Sequence, residues 1–212
     1  MEDALHPRGL NRRRVLGLAL VVLLLPPVGW WAWSYLQFPS DRTPEGAYLR
    51  IVKAVHQGRA EAFFAYTETE AQHACFTIRT YRKQARDRVL DAYPEPERTR
   101  LADAWATEAL AADGAEVFAL HARRHGWVDR LRRDLSGIAK VEVVGERATV
   151  ETVKGTRYPF RRRDNGIWGL TSFTAALGAE AEKAARDAAQ IEKNAADHRR
   201  VRERERAQPD GG

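Results

Sequence analysis

A single cysteine, Cys75, is all the thiol chemistry available to this chain of 212 residues, so neither an intramolecular disulfide nor a cysteine-built zinc site can form. In an oxidising compartment a lone thiol is either buried or paired with another chain, and Cys75 is expected to be buried. His73 stands two positions away, but residues two apart on a helix point in different directions, so the two do not make a nucleophile and its base. Lysine is scarce beside arginine, and together with abundant alanine this reads as genomic composition rather than as a phosphate site. The formal charge of +6 includes four arginines and two acids within the first forty residues, leaving +4 for the rest. That is no surplus of the kind nucleic-acid binding requires.

What is present is one uncharged apolar stretch, Val15 to Leu36. At ~1.5 Å per residue it reaches ~33 Å, enough to cross a hydrocarbon core of ~30 Å. Residues 15–36 are therefore expected to form a transmembrane helix, a signal anchor. Arg8 and the Arg12, Arg13, Arg14 triplet make residues 1–14 a basic cytoplasmic flank, whereas Asp41, Arg42 and Glu45 on the other side are mixed in sign. Everything beyond the linker 37–43 then lies outside the cytoplasm. The expected address is a bacterial inner membrane, crossed once, with the domain facing the periplasm and nucleic acid out of reach. Trp30, Trp31, Trp33 and Tyr35 suit the outer interface of such an anchor. A cleaved signal peptide is the competing reading, because Pro26 and Pro27 shorten the apolar run and Ala32-Trp33-Ser34 offers a cleavage site after Ser34. Asn11 to Leu16 also resembles a twin-arginine export signal.

Downstream, Thr43, Pro44 and Glu45 make an N-cap, a first helical proline and a dipole-matched acid. Tyr48, Ile51, Val52 and Val55 continue at helical spacing to Gly58. A short helix is expected over Arg59–Tyr66, a long one from Thr69 to the stop at Pro94 and Pro96, and a fourth around Leu101, Trp105 and Ala109. A fifth is expected over Val117–Leu135, interrupted at Gly126. After Gly137 the period falls to two. Strands are expected over Lys140–Val144, Arg147–Val153, Thr156–Arg163 and Ile167–Phe173, with Gly145-Glu146, Lys154-Gly155 and Asp164-Asn165-Gly166 between them as turns. Helices followed by an antiparallel meander define an α+β domain over residues 44–174, with helices on the apolar face of the sheet. Residues 175–207 form a charged helix. Leu177, Ala181, Ala184, Ala188, Ile191, Ala195 and His198 make a heptad seam on it, poor in apolar area, that suits either a solvated helix or a weak coiled coil with an envelope partner. Residues 208–212 form a tail expected to be disordered.

Two segments, TPEGAYLRIVKAVHQGRAEAFFAYT and VEVVGERATVETVKGTRYPFRRRDNGIWGLTSF, give residues 43–173 a resemblance to the NTF2-like (SnoaL-like, cystatin-type cone) domains of bacterial envelope proteins. Asp164, Gly166, Trp168 and Leu170 match the Asp-x-Gly-x-Trp-x-Leu pattern of that family's last strand. The stretch Ala71–Leu135 is longer and more helical than the family's middle, with no early strand, so the cone is expected to be incomplete. The resemblance implies a cone pocket. Tyr66, Tyr81, Trp105, Tyr158 and Trp168 are the candidate ligand-pocket residues, with His73 and Asp103 as further titratable groups.

No catalytic constellation stands out, and no cofactor or metal is expected. His121 and His125 are four apart, the geometry of a two-histidine metal pair, but Arg123 and Arg124 place positive charge beside them and no glutamate follows the first histidine. Arg161, Arg162 and Arg163 would either grip an anionic lipid headgroup or an acidic partner, or blunt an edge strand. The function expected is non-enzymatic: a membrane-anchored envelope protein that binds a protein partner or a small apolar ligand. The rival is a SnoaL-like isomerase or hydrolase working in the cone pocket. Topology is the first thing to test. Alkaline phosphatase fused after Gly212 should be active, because its disulfides need an oxidising compartment, and a stable but inactive fusion would put the domain in the cytoplasm.

Overall fold

The computed structural model describes residues 39–207, so the expected anchor and tail lie outside the described residues. Within them no helix is long and apolar enough to cross a membrane. The chain opens on α1 (Pro44–His56), whose N-cap Thr43 accepts a 3.1 Å hydrogen bond from the Gly46 amide. Gly58, at φ +68°, turns the chain into α2 (Ala60–Phe64). The long α3 (Thr69–Ala92) and α4 (Glu97–Ala109) follow.

The expected fifth helix is two. The first, α5 (Gly114–Arg124), starts earlier than the apolar pattern suggests because Asp113 caps it, accepting from the Glu116 amide at 2.9 Å while the Glu116 carboxylate accepts from the Ala112 amide at 2.7 Å. That is a reciprocal cap, legible in the spacing of Asp113 and Glu116. Gly126, in the left-handed region at φ +63°, then redirects the chain into α6 (Trp127–Asp134).

Four strands, β1 (Ile138–Val144), β2 (Arg147–Thr152), β3 (Arg157–Arg162) and β4 (Trp168–Leu170), form an antiparallel sheet in sequence order. Each turn sits at the glycine the sequence marks. In register, Val141 opposes Val150 and Val150 opposes Tyr158, while Ala148 opposes Phe160 and Phe160 opposes Leu170. That face is buried from β2 to β4; the other carries Lys140, Glu142, Arg147, Glu151 and Arg161 and is wet. Among the described residues no strand precedes Ile138, and only an isolated bridge joins Thr67 to Leu170. Through it the segment Tyr66–Glu68 covers the outer edge of β4. A Cβ on Gly169 would stand 2.6 Å from the Thr67 carbonyl oxygen, so only glycine fits there.

Two corrections concern placement. The Arg161–Arg163 run is not on an edge strand, since β3 lies between β2 and β4. The seam of the C-terminal helix α7 (Thr174–Ala207) is neither solvated nor offered to another chain. Leu177, Ala181, Ala184, Ala188, Ile191 and Ala195 are all buried, and α7 runs beside α3 in the same direction. Thr174 donates to Glu68 at the near end, Arg82 meets Asp187 midway, and the Tyr93 and His198 rings pack 4.7 Å apart at the far end. The seam is poor in apolar area per residue. Alanine, however, lets two helices approach closely, and α3 offers Ala71, Ala74, Ala85 and Ala92 in return.

The buried apolar residues form two clusters. One joins the sheet, α1, α2, α5, α6 and the first halves of α3 and α7; the other joins the far ends of α3 and α7 to α4. Truncation after Leu177 therefore removes one wall of the second cluster and should abolish cooperative folding. The milder Ile191→Ala change should cost ~2–5 kcal/mol, read as a fall in melting temperature at ~2–4 °C per kcal/mol. A truncated chain that melts within a few degrees of the intact one would show that α7 is dispensable.

Candidate functional site

Between the two apolar clusters lies a set of charges whose centre, Arg82 and Glu108, is buried, while its outer members Asp187 and Arg124 reach solvent. Arg82 of α3 occupies a position of the apolar stripe Ile78–Ala85–Val89, so its guanidinium is carried inward. There its Nε donates to Glu108 of α4 at 3.2 Å and a terminal nitrogen donates to Asp187 of α7 at 2.6 Å. The guanidinium also lies 5.6 Å from the centre of the Trp105 ring. Glu108, 7 % exposed, meets Arg124 at 2.8 Å and His121 Nε2 at 3.3 Å, the latter without the alignment of a full hydrogen bond. His121 is fully buried, and its Nδ1 has no partner. Burial works against ionisation of Glu108, but His121 and Arg124 together outweigh it and hold the carboxyl at about 2.

From His121 a column of rings runs through exposed His125 and back to buried Trp127 and Phe173. His121 stacks on His125 at 6.0 Å, His125 on Trp127 at 5.2 Å, and Trp127 on Phe173 at 4.6 Å, with ring planes within 22° at each step. The left-handed turn at Gly126 lets His125, which caps the end of α5, and Trp127, the first residue of α6, stack in this way.

The column ends at an open notch of about 370 Å³. Its apolar wall is Trp127, Leu131 and Phe173; Arg130 and Asp134 bring charge to it, and Tyr158 of β3 forms part of it. Tyr158 has a buried hydroxyl with no hydrogen-bond partner. Its neighbour Tyr48, 5.6 Å away ring to ring, is satisfied, donating to the Ser136 carbonyl at 2.7 Å and accepting from the Ser136 amide at 3.2 Å. Burial, then Tyr48 and Asp134, push the Tyr158 phenol up to about 12, so it remains a donor at any physiological pH.

The five candidate pocket residues do not line one cavity. Tyr158 alone faces the notch. Trp168 is buried in β4 and donates its indole N–H to the Arg42 carbonyl at 3.1 Å, and Tyr66 is half-buried beside the first cluster. Tyr81 and Trp105 belong to the second cluster, at the other side of the ion set. His73 and Asp103 are exposed, whereas Cys75 is buried and its thiol pushed up to about 12 by that burial. Of the arginine run, Arg161 is committed to Glu68 at 3.3 Å and Glu70 at 2.9 Å, and Arg163 donates to the Ala65 carbonyl and to Gln72. Among the described residues no three His, Cys, Asp or Glu side chains gather as metal ligands would. The sequence did hold one unread sign of the ion set: a charge inside an apolar helical stripe, as at Arg82, must find a buried counter-charge.

The chain matches no family model, no curated protein and no solved structure. The ion set is accordingly argued from its own geometry. The folded-state pKa of Glu108 is depressed from 4.5 to about 2, so the stability it contributes is fully present above pH 4.5 and is lost as pH falls towards 2. Glu108→Gln should flatten that acid limb in a pH series of denaturant melts. It should also destabilise by ~3–5 kcal/mol at neutral pH, because Arg82 stays buried with half its partners gone.

Proposed function

We propose that this chain is a non-enzymatic binding module, an NTF2-like domain tethered to the periplasmic face of a bacterial inner membrane by residues 15–36. Its ligand is a small molecule with an apolar body and one hydrogen-bond acceptor, taken in the notch beside Trp127, Phe173 and Tyr158. The observation that carries this reading is the Tyr158 hydroxyl. The hydroxyl is closed off from solvent, so a ligand has to part the notch wall to reach it; a buried donor left unmade costs ~1–3 kcal/mol, and an acceptor that reaches it would recover much of that. The stacked Trp127–Phe173 wall supplies the apolar contact. The α7 seam is occupied by α3, which makes the notch a better-supported site than a helix-mediated partner contact. Tethering would let modest affinity suffice by raising the local concentration of the domain at the membrane.

One observation supports the enzymatic rival. Asp134 and Tyr158 both line the notch, and a carboxylate beside a phenol held protonated is an acid–base pair in outline. The two readings separate on one variant, since Asp134→Asn would keep ligand affinity under both but lose turnover only under the rival.

A thermal-shift screen of small amphipathic molecules on the full chain in detergent tests the proposal. Ligands that raise the melting temperature should lose that effect in Trp127→Ala. In Tyr158→Phe they should bind ~3–10-fold more weakly, the equivalent of one neutral hydrogen bond, while the unliganded protein is no less stable than wild type. A screen without hits, or hits indifferent to both changes, would sink the notch as the site.

A further inference from the structure

We propose that the outer edge of β1 is a self-pairing surface, joining two copies of this chain through an antiparallel β1–β1 ladder centred on Val141 into one continuous sheet. The two edges of the sheet are treated differently. Tyr66–Glu68 closes β4, but β1 has no strand partner on its outer side among the described residues. It contains no proline, and at its end Val143 and Val144 are 54 % and 79 % exposed. A row of unpaired amides and carbonyls with exposed valines is the template on which another strand adds.

The side chains select the occupant. Lys140, Glu142 and Val144 lie on the wet face, and Val141 and Val143 on the face towards the helices. Continuing the sheet requires residues on the same face to stand opposite each other, since a slip of one position would turn every side chain to the wrong side. With Val141 opposite its own copy, Lys140 faces Glu142 of the second copy, and the two-fold axis repeats that pair. Ala139 then falls opposite Val143, and Ile138, turned to the other face by the irregularity before Lys140, leaves the ladder. The two neighbouring registers of the same parity set Glu142 or Lys140 against itself, which like-charge repulsion disfavours. The irregularity between Ile138 and Lys140 falls at the end of the ladder and leaves its centre, Lys140–Glu142, regular. Within one copy Lys140 already meets Glu142 at 2.5 Å and Glu142 also meets Arg157, itself near Glu151, so in the ladder the Lys140 and Glu142 of two copies form one four-charge cluster across the seam.

Sedimentation and light scattering on the full chain in detergent should show a concentration-dependent dimer. Lys140→Glu and Glu142→Lys should each raise its dissociation constant at least tenfold with little change in melting temperature. The double swap K140E/E142K restores the opposite-sign pairs and should return it to within about threefold of wild type. Independently of charge, Val141→Cys should form an intermolecular disulfide on mild oxidation, while Cys75 stays inert and Thr149→Cys on β2 does not cross-link. A wild-type chain monomeric at every concentration, a dimer indifferent to both single reversals, or no cross-link through position 141 would each overturn the proposal.

Discussion

Four helices of this domain meet at one carboxylate. Glu108 takes Arg82 from α3, His121 and Arg124 from α5, and through Arg82 the Asp187 of α7. Desolvating such charges is expensive, and a buried ion set is weak evidence for net stability. What it does impose is register. An apolar helix face can slide by a turn at modest cost, whereas Arg82 has counter-charges at one position only. The alanine contacts of α3 with α7 are nearly equivalent from turn to turn, so the pairing is fixed lengthwise by its polar and ring contacts: Thr174 with Glu68, Arg82 with Asp187, Arg88 with Glu192 and Tyr93 with His198. The ion set thus pins the helices that carry the second apolar cluster, and its column of rings leads to the wall of the notch.

Much of the fold was legible because its signals are local. The Thr43 cap, the glycine turns and the change of period after Gly137 each involve neighbours in sequence, and α1, β1, β2 and β3 stand close to where they are expected. The strand β4 is shorter than Ile167–Phe173 because Trp168–Leu170 alone reaches β3 before the chain turns into α7. The fate of the α7 seam was not legible. A heptad spacing says that a helix has a seam without saying whose surface covers it, and α3 lies about a hundred residues away in the chain. The small apolar area of alanine also hid the pairing, since close approach of two backbones is a property of both helices together.

The candidate site was less legible still. Of the five aromatic residues singled out, only Tyr158 reached the notch, because aromatic side chains in a small domain are mostly core and their convergence is a tertiary fact. Arg130 and Asp134 are ordinary surface types on α6, made relevant only by the strand opposite them. The stacked column depended on Gly126, whose left-handed turn was readable as a break but not as the hinge that sets His125 against Trp127.

An unpartnered Tyr158 hydroxyl persists beside a satisfied Tyr48, although the two rings share one environment. Tyr48 packs where the chain leaves α6 and finds the amide and carbonyl of Ser136; Tyr158 sits on β3 opposite Val150 of β2, with no such group within reach of its hydroxyl. Its ring position is set by register with Val150 and by packing on Tyr48, so it cannot swing to seek a partner without giving up apolar burial worth more than one hydrogen bond. An unmet donor held rigid just behind the wall of an open notch is a place where a ligand acceptor that parts that wall would make the hydrogen bond the fold itself leaves unmade.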